Sequence, residues 1–517
     1  KAYIMTTSEW VILAAIVLYM IMMIAIGVGV SRKTKTSDDF YLGGRKLGPL
    51  VTAMSAEASD MSAYLLMGIP GLALMCGFAE ATWTAIGLAV GTYLNWLFVA
   101  KRLRIYSEKI GAVTVPSFFS RRFGDKHHML SAVAAIVIII FFIPYTASGF
   151  SACGKLFSNM FGIDYMTAMI ISAIVIVLYC ALGGFLAAST TDLIQSIIMT
   201  VALFVVLGLG EGFIGGFDKV FANVRSLDGF TDLFRGFDVS KGTASSYGAI
   251  SVVSTLAWGL GYFGMPHILL RFMAISDPDE LKKSRRIASV WVVISMAIAI
   301  LIGVVGYSLM TAGIVGPYAS NSEAETIIVD ISRYISGFGF IPSFVAGIFI
   351  SGILASTMST ADSQLIAASS SITQDILVDT MHVRLSERAK MILARVTVVV
   401  ISVIGIFLAR DPSSSVFRIV SFAWAGFGAA FGPVILCALF WRRTTKWGAL
   451  AGMIGGGATV FIWKFIIREA FKGTVLDIYE LLPAFIVAIL LTVIVSLATK
   501  APDKEVTETF DAVRTTK

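Results

Sequence analysis

The sequence predicts an all-α polytopic membrane protein of about 13 transmembrane helices. Three observations carry that prediction. The 517 residues are 57% hydrophobic and only 14% charged, against about 25% charged in an ordinary soluble domain. Apolar segments recur along the whole length, each of the roughly 20 residues that a helix needs to cross the ~30 Å hydrocarbon core. No stretch between them is long enough for a separate globular domain, so one membrane domain is expected.

The net charge of +7 does not mark a nucleic-acid surface, because the basic residues sit in short clusters between apolar segments. Such clusters set topology. Cys76, Cys153, Cys180 and Cys437 lie scattered in apolar runs without metal-ligand spacing. They read as packing residues, with no disulfide framework.

Residues 10–30 form an uncharged run too long for a signal-peptide core and without a convincing cleavage site, hence a retained first span. The chain starts at Lys1, which leaves room for an initiator methionine or short leader. Arg32, Lys33, Lys35, Arg45 and Lys46 place the next loop in the cytoplasm and the amino terminus outside. Span two is 50–77 and span three 82–100, followed by another basic, cytoplasmic loop that contains His127 and His128. Span four, 130–149, carries Pro144 and Tyr145 near its outer end. Span five, 165–182, ends in a short turn at Gly183 and Gly184. Asp192 then opens span six, where an acid in the first turn suits the helix dipole as a simple cap.

A polar external loop, 216–247, leads to span seven, whose WGLGYFGMPH holds three glycines and a proline and reads as a broken helix. Arg271 groups with Lys282, Lys283, Arg285 and Arg286 in a cytoplasmic loop, and span eight follows at 287–310. Residues 313–340 are external and carry Glu323, Glu325 and Asp330; span nine is 341–366. Arg388 and Lys390 precede span ten, and Arg410 and Asp411 follow it. Span eleven ends at WRRTTK, and spans twelve and thirteen are 447–467 and 482–498. The charged tail, 500–517, is expected to be cytoplasmic and disordered.

Span two is the exception among these apolar runs, since Ser55, Glu57, Ser59, Asp60 and Ser62 fall within eight residues of it. A carboxylate at the centre of a membrane helix costs roughly 2.5–3.5 kcal/mol and so faces a cavity or a partner. One serine there would be a packing residue; five polar groups together make a site. In span nine, Ser356, Ser359, Thr360 and Ser363 fall at i, i+3, i+4 and i+7, which sets their hydroxyls on one face with Asp362 at its edge. Hydroxyl and carbonyl oxygens suit a desolvated alkali cation, whereas a transition metal would call for imidazole or thiolate. If span two unwinds around 58–61, its first half ends in carbonyls that favour a cation and its second begins with amides that favour a carboxylate. Tyr64, Tyr145, Trp258 and Tyr262 would then enclose the body of a substrate.

The motifs YLGGRKLGP, SAEASDMSAYLLMGIPG, GGFLAASTTDLIQ, WGLGYFGMPHILLRF, ILASTMSTADSQL and FAWAGFGAAFGP resemble those of the sodium/solute symporter family, in order and wording closest to its sodium/proline symporters. The likeness runs from about residue 10 to 500. It implies a LeuT-type inverted repeat of five plus five helices around a midplane site. The first span and its loop would be 1–49, the transport core 50–440 with halves of about 50–215 and 246–440, two further spans 441–499, and the cytoplasmic tail 500–517.

The resemblance further implies a sodium site at the carbonyls of Ala58, Met61 and Ser356 and the hydroxyls of Ser359 and Thr360. It puts the substrate against Asp60, Ser62, Ala63, Tyr64, Tyr145, Trp258, Tyr262 and Pro266. Asp192, Asp362 and Ser363 form a candidate second cation site, and Arg45 and Glu57 are candidate coupling or gating residues. The sequence departs from its relatives at Tyr64, where tryptophan is common, and at Ala63 and Glu57, where glycine is common.

The implied activity is sodium-coupled import of L-proline across the plasma membrane by alternating access. The expected partners are proline, sodium and lipid, without nucleic acid, and the expected working unit is a monomer. Another small amino acid or a betaine-like osmolyte is the alternative cargo. A membrane enzyme is disfavoured, because the chain has neither HExxH nor GxSxG and only four histidines. GFSACGKL, 149–156, nearly spells a phosphate-binding loop, but Leu156 replaces the magnesium-binding hydroxyl. A sensor would call for a soluble signalling domain, and a channel would not saturate as a closed pocket does.

Overall fold

Unpaired backbone groups are too costly in hydrocarbon, so apolar segments of this length close their hydrogen bonds within a helix. The computed structural model describes residues 5–31 and 36–515; Arg32, Lys33 and Lys35 of the first basic cluster lie outside them. Among the described residues, 11 helices are long and apolar enough to cross a membrane. Together with the shorter apolar helices Tyr165–Leu178 and Ala249–Gly264 they occupy every expected span position.

Span nine (Phe340–Thr380) is the central post, packed against span one (Thr7–Val30), span two (Pro49–Cys76), span four (Met129–Phe161) and span six (Gly184–Ile214). Spans two and seven each open a run of five helices, and each is interrupted, at Ser62 and at Met265 respectively. The close approach of span seven to its neighbours requires glycine. A Cβ on Gly259 would lie 2.2 Å from the Gly87 carbonyl oxygen of span three.

Several expectations change once packing is seen. Spans five and six form one helical stretch, Tyr165–Ile214, bent at Gly184 (φ 69°, ψ 175°). The expected turn thus shrinks to a single residue, where a Cβ would meet Phe40 at 2.9 Å. Asp192 is therefore inside the stretch and fully buried, not capping a helix start. The external loop 216–247 folds into a helix, Phe217–Arg225, and a hairpin of Arg235–Asp238 with Thr243–Ser246.

Glu325, expected in a solvated external loop, is instead 1% exposed. Its carboxylate accepts from Lys155 Nζ at 2.9 Å, from Ser415 Oγ at 2.7 Å and from the Val416 and Phe417 amides. Those amides open span eleven (Val416–Phe440), so Glu325 complements a helix N-terminus while Lys155 neutralises it. This is the use of the lysine in the near phosphate-loop sequence.

The tail is likewise ordered, with Lys504–Thr515 helical rather than disordered. Phe510 and Val513 are buried, the Arg122 guanidinium lies 5.0 Å from the Phe510 ring centre, and Arg442 pairs with Asp511 at 3.0 Å. A helix this short is marginal by itself, so its one large buried side chain should decide its fate. Phe510→Ala removes about 3 kcal/mol or more of packing. Hydrogen exchange is expected to show lost amide protection over 504–515 with the spans unchanged; retained tail protection would remove Phe510 as the anchor.

Candidate functional site

Gly48 is extended and Pro49 begins span two, a fitting start because proline has no amide to leave unpaired. The helix runs to Met61, and Ser62 then takes φ 48°, ψ −167°, a conformation that only surrounding structure can impose on a residue with a side chain. The break thus falls just past the expected 58–61. Ser62 Oγ accepts from the Tyr64 amide at 3.1 Å and so caps the second half.

Span nine packs against the first half of span two. Ser359 Oγ donates to the Ala58 carbonyl at 2.8 Å, and Thr360 Oγ1 donates to the Ser356 carbonyl at 3.0 Å. Four of the five expected cation ligands are therefore joined in pairs across or along these helices; the fifth, the Met61 carbonyl, takes the Tyr64 amide. All are buried, and all are hard oxygens. The Ser356 hydroxyl is engaged with the Ile353 carbonyl.

On the same half of span two, Asp60 Oδ2 accepts from the Tyr262 hydroxyl at 2.6 Å, and the Asp60 carbonyl accepts from the Tyr145 hydroxyl at 3.0 Å. Tyr64 lies 5.3 Å from Trp258 and stacks on Phe417 at 5.4 Å; Trp258 stacks on Tyr479 at 5.0 Å. Phe417 and Tyr479 were not foreseen. The structure thus gathers Asp60, Tyr64, Tyr145, Trp258 and Tyr262, while Ser62, Ala63, Tyr145 and Thr360 line a small shared cavity. Gln364, which lines the same cavity, accepts from Thr146 at 3.0 Å and was also missed. Pro266 is buried at the start of the second half of span seven, where it begins Pro266–Ala274 after the extended Met265.

Arg271 is the largest revision. Counted above with a cytoplasmic loop, it is 1% exposed and lies within Pro266–Ala274. It pairs with Asp192 at 3.0 Å, and the same nitrogen donates to Ser363 Oγ at 2.6 Å. Its Nε donates to Ser55 Oγ, which in turn donates to Asp192 at 2.6 Å. Asp192 and Ser363 are thus joined through a guanidinium; Ser363 Oγ also donates to Asp362 Oδ1 at 3.1 Å, and Asp362 lines a small cavity with Cys180 and Gly184. Glu57 takes a 3.2 Å bond from Trp96 Nε1 on one oxygen.

Arg45 lies in the segment before span two. It donates to the carbonyls of Met273 and Ala112 and to Ser107 Oγ, and burial with Arg104 nearby pulls its guanidinium down to about 10. Beside it the Leu47 amide bonds the Ala274 carbonyl and the Ser276 amide bonds the Leu47 carbonyl. The entry to span two and the exit from span seven are laced together there.

Two repeated halves that each begin with an interrupted helix, and buried oxygens gathered at the break, define a secondary transporter. The chain belongs to the sodium:solute symporter family, whose match covers residues 40–456. It is 42% identical over 495 residues to the high-affinity proline transporter PutP of Bacillus subtilis (strain 168), covering 95% of this chain and 98% of that one. It is 40% identical over 493 residues to the sodium/proline symporter of Escherichia coli (strain K12), with 95% and 94% covered. The solved structure of a Na+-coupled sialic acid symporter, substrate-bound and outward-open, matches with TM-score 0.76 at 19% identity over 96% of this chain and 99% of its own. That likeness shows the fold, a LeuT-type inverted repeat. Family membership makes the protein a multi-pass membrane transporter, not an enzyme.

Proposed function

We propose that the protein imports L-proline with sodium by alternating access, amino terminus outside and carboxyl terminus in the cytoplasm. The observation that carries this reading is the bond from Ser359 to the Ala58 carbonyl, because it brings span nine and the broken span two to one oxygen cage. Sodium entering the cage exchanges that hydrogen bond for two ion–oxygen contacts and draws the helices together. Proline then presents its carboxylate to the amides after Ser62 and its ring to Tyr64, Tyr145, Trp258 and Tyr262. Its ammonium suits the Asp60 carboxylate, which the Tyr262 hydroxyl now occupies. The names of the relatives point to the same cargo.

Arg45 and the Leu47 ladder serve as the cytoplasmic gate, and the Tyr64–Phe417 stack with Lys155–Glu325 serves as the external one. Glu57, on the half-helix between them, is assigned to coupling. Both halves lie in one chain, which supports a monomeric working unit. We hold the coupling to one sodium, since Arg271 already neutralises Asp192. For a neutral substrate the ratio of charge to substrate flux is therefore expected near one; a ratio near two would restore the second cation site.

The test is uptake of labelled proline by purified protein in liposomes with an inward sodium gradient. Trp258→Ala is expected to weaken proline binding about tenfold, or 1.4 kcal/mol, with the sodium requirement less affected. Sodium-driven accumulation of another small amino acid or a betaine that excess proline fails to inhibit would overturn the cargo and leave the symporter.

A further inference from the structure

We infer that the outer wall of the bundle holds an anionic phospholipid in a groove between spans two, six and eight, with its phosphate on Arg286. The groove has a volume of about 490 Å³ and is lined by Met54 of span two, by Leu203 and Phe204 of span six, and by Val290, Ile294 and Ile298 of span eight. Val290 and Phe204 are more than half exposed, so the groove opens toward lipid and not toward the transport site. From Arg286 to Ile298 a helix rises about 18 Å, close to one leaflet of a ~30 Å hydrocarbon core. An acyl chain therefore fits its length and its apolar lining.

The charge at one end selects the headgroup. Arg286 lines the groove, is exposed, and makes no hydrogen bond or ion pair among the described residues. Lys282, one turn earlier on the same face, is likewise exposed and unpaired among them. The other two cations of this turn are engaged elsewhere: Lys283 pairs with Glu280 at 2.9 Å, and Arg285 lies over the Tyr93 ring. This cluster is cytoplasmic by the positive-inside rule, where anionic headgroups meet basic pockets between helices. Trp291 forms part of the wall, fixed by its Nε1 bond to Thr200 at 2.8 Å. Met54 is one turn before Ala58, so a lipid seated here presses on the half-helix that carries the cation ligands.

Native mass spectrometry of the delipidated full-length protein, incubated with dioleoylphosphatidylglycerol or dioleoylphosphatidylcholine, tests the site. The protein is expected to retain one phosphatidylglycerol in preference to phosphatidylcholine. Arg286→Gln should weaken that retention about fivefold, the worth of one basic residue at an anionic surface. Ile294→Trp, which fills the groove, should weaken it as well, and Lys283→Gln should not. Arg286→Gln alters an exposed side chain, so it decides the matter even if the tryptophan variant folds poorly. Equal retention of the two lipids, or unchanged retention in Arg286→Gln, overturns the proposal. In liposomes, uptake should be faster with phosphatidylglycerol than with phosphatidylcholine alone, and Arg286→Gln should remove that difference; an equal response in the variant counts against the site.

Discussion

Ser359→Ala combined with Thr360→Ala is expected to raise the sodium concentration for half-maximal uptake tenfold or more. The two substitutions delete two of the five oxygens assigned to the cage, and each tenfold loss corresponds to about 1.4 kcal/mol. Both hydroxyls now donate to carbonyls, Ser359 to Ala58 and Thr360 to Ser356. The second of these bonds runs back along its own helix, so its loss leaves span nine helical. The first joins two helices, and its loss removes the tie through which the cation acts on span two. Correct insertion and unaltered thermal unfolding of the double variant would show that the change is local. A sodium dependence equal to that of the parent protein would sink the site while leaving the fold untouched.

The spans were legible in the sequence because a helix in lipid must be apolar over a fixed length, and that constraint acts on every residue of the run. The site was legible for the complementary reason: Asp60, Ser62 and their neighbours violate the pattern where nothing in the lipid could pay for them. Hydroxyl spacing in span nine picked out Ser359, whose hydroxyl reaches the Ala58 carbonyl of span two, and Thr360, whose hydroxyl bonds the Ser356 carbonyl of its own helix. The position of the break was less legible, since the positive φ falls on Ser62 rather than on a glycine, and only the packed environment selects it.

What the sequence concealed are partnerships between distant residues. Lys155 and Glu325 are both charges beyond apolar runs, and nothing local says that they share a buried contact. Phe510 and Val513 are three residues apart in a charged tail, too sparse a stripe to predict a helix, yet Arg122 and Arg442 give it a place to dock. Arg271 was grouped with the lysines and arginines that follow it, although the apolar run PHILLRFMA continues on both sides of it. A lone cation inside such a run is the signal that would have found it, by the same reasoning that drew attention to Asp60.

The largest loss of stability is expected from Arg271→Gln or Asp192→Asn alone. The pair is among the most deeply buried in the protein, at 1% and 0% side-chain exposure. Removing one partner leaves the other charge buried and unpaired, at a cost of about 3–5 kcal/mol. The damage should spread, because the guanidinium also holds Ser55 of span two and Ser363 of span nine, and Ser363 donates to the Ser359 carbonyl at 2.9 Å. Four helices meet at this one cation, two of them interrupted, so either single variant should lower both the unfolding temperature and the uptake rate. The double variant Arg271→Gln with Asp192→Asn removes both charges and keeps polar groups that can pair, and is expected to unfold closer to the parent than either single variant. Penalties that simply add in the double variant would mean that the two side chains act independently, and would also remove the ground for assigning the charge of Asp192 to arginine rather than to a second sodium.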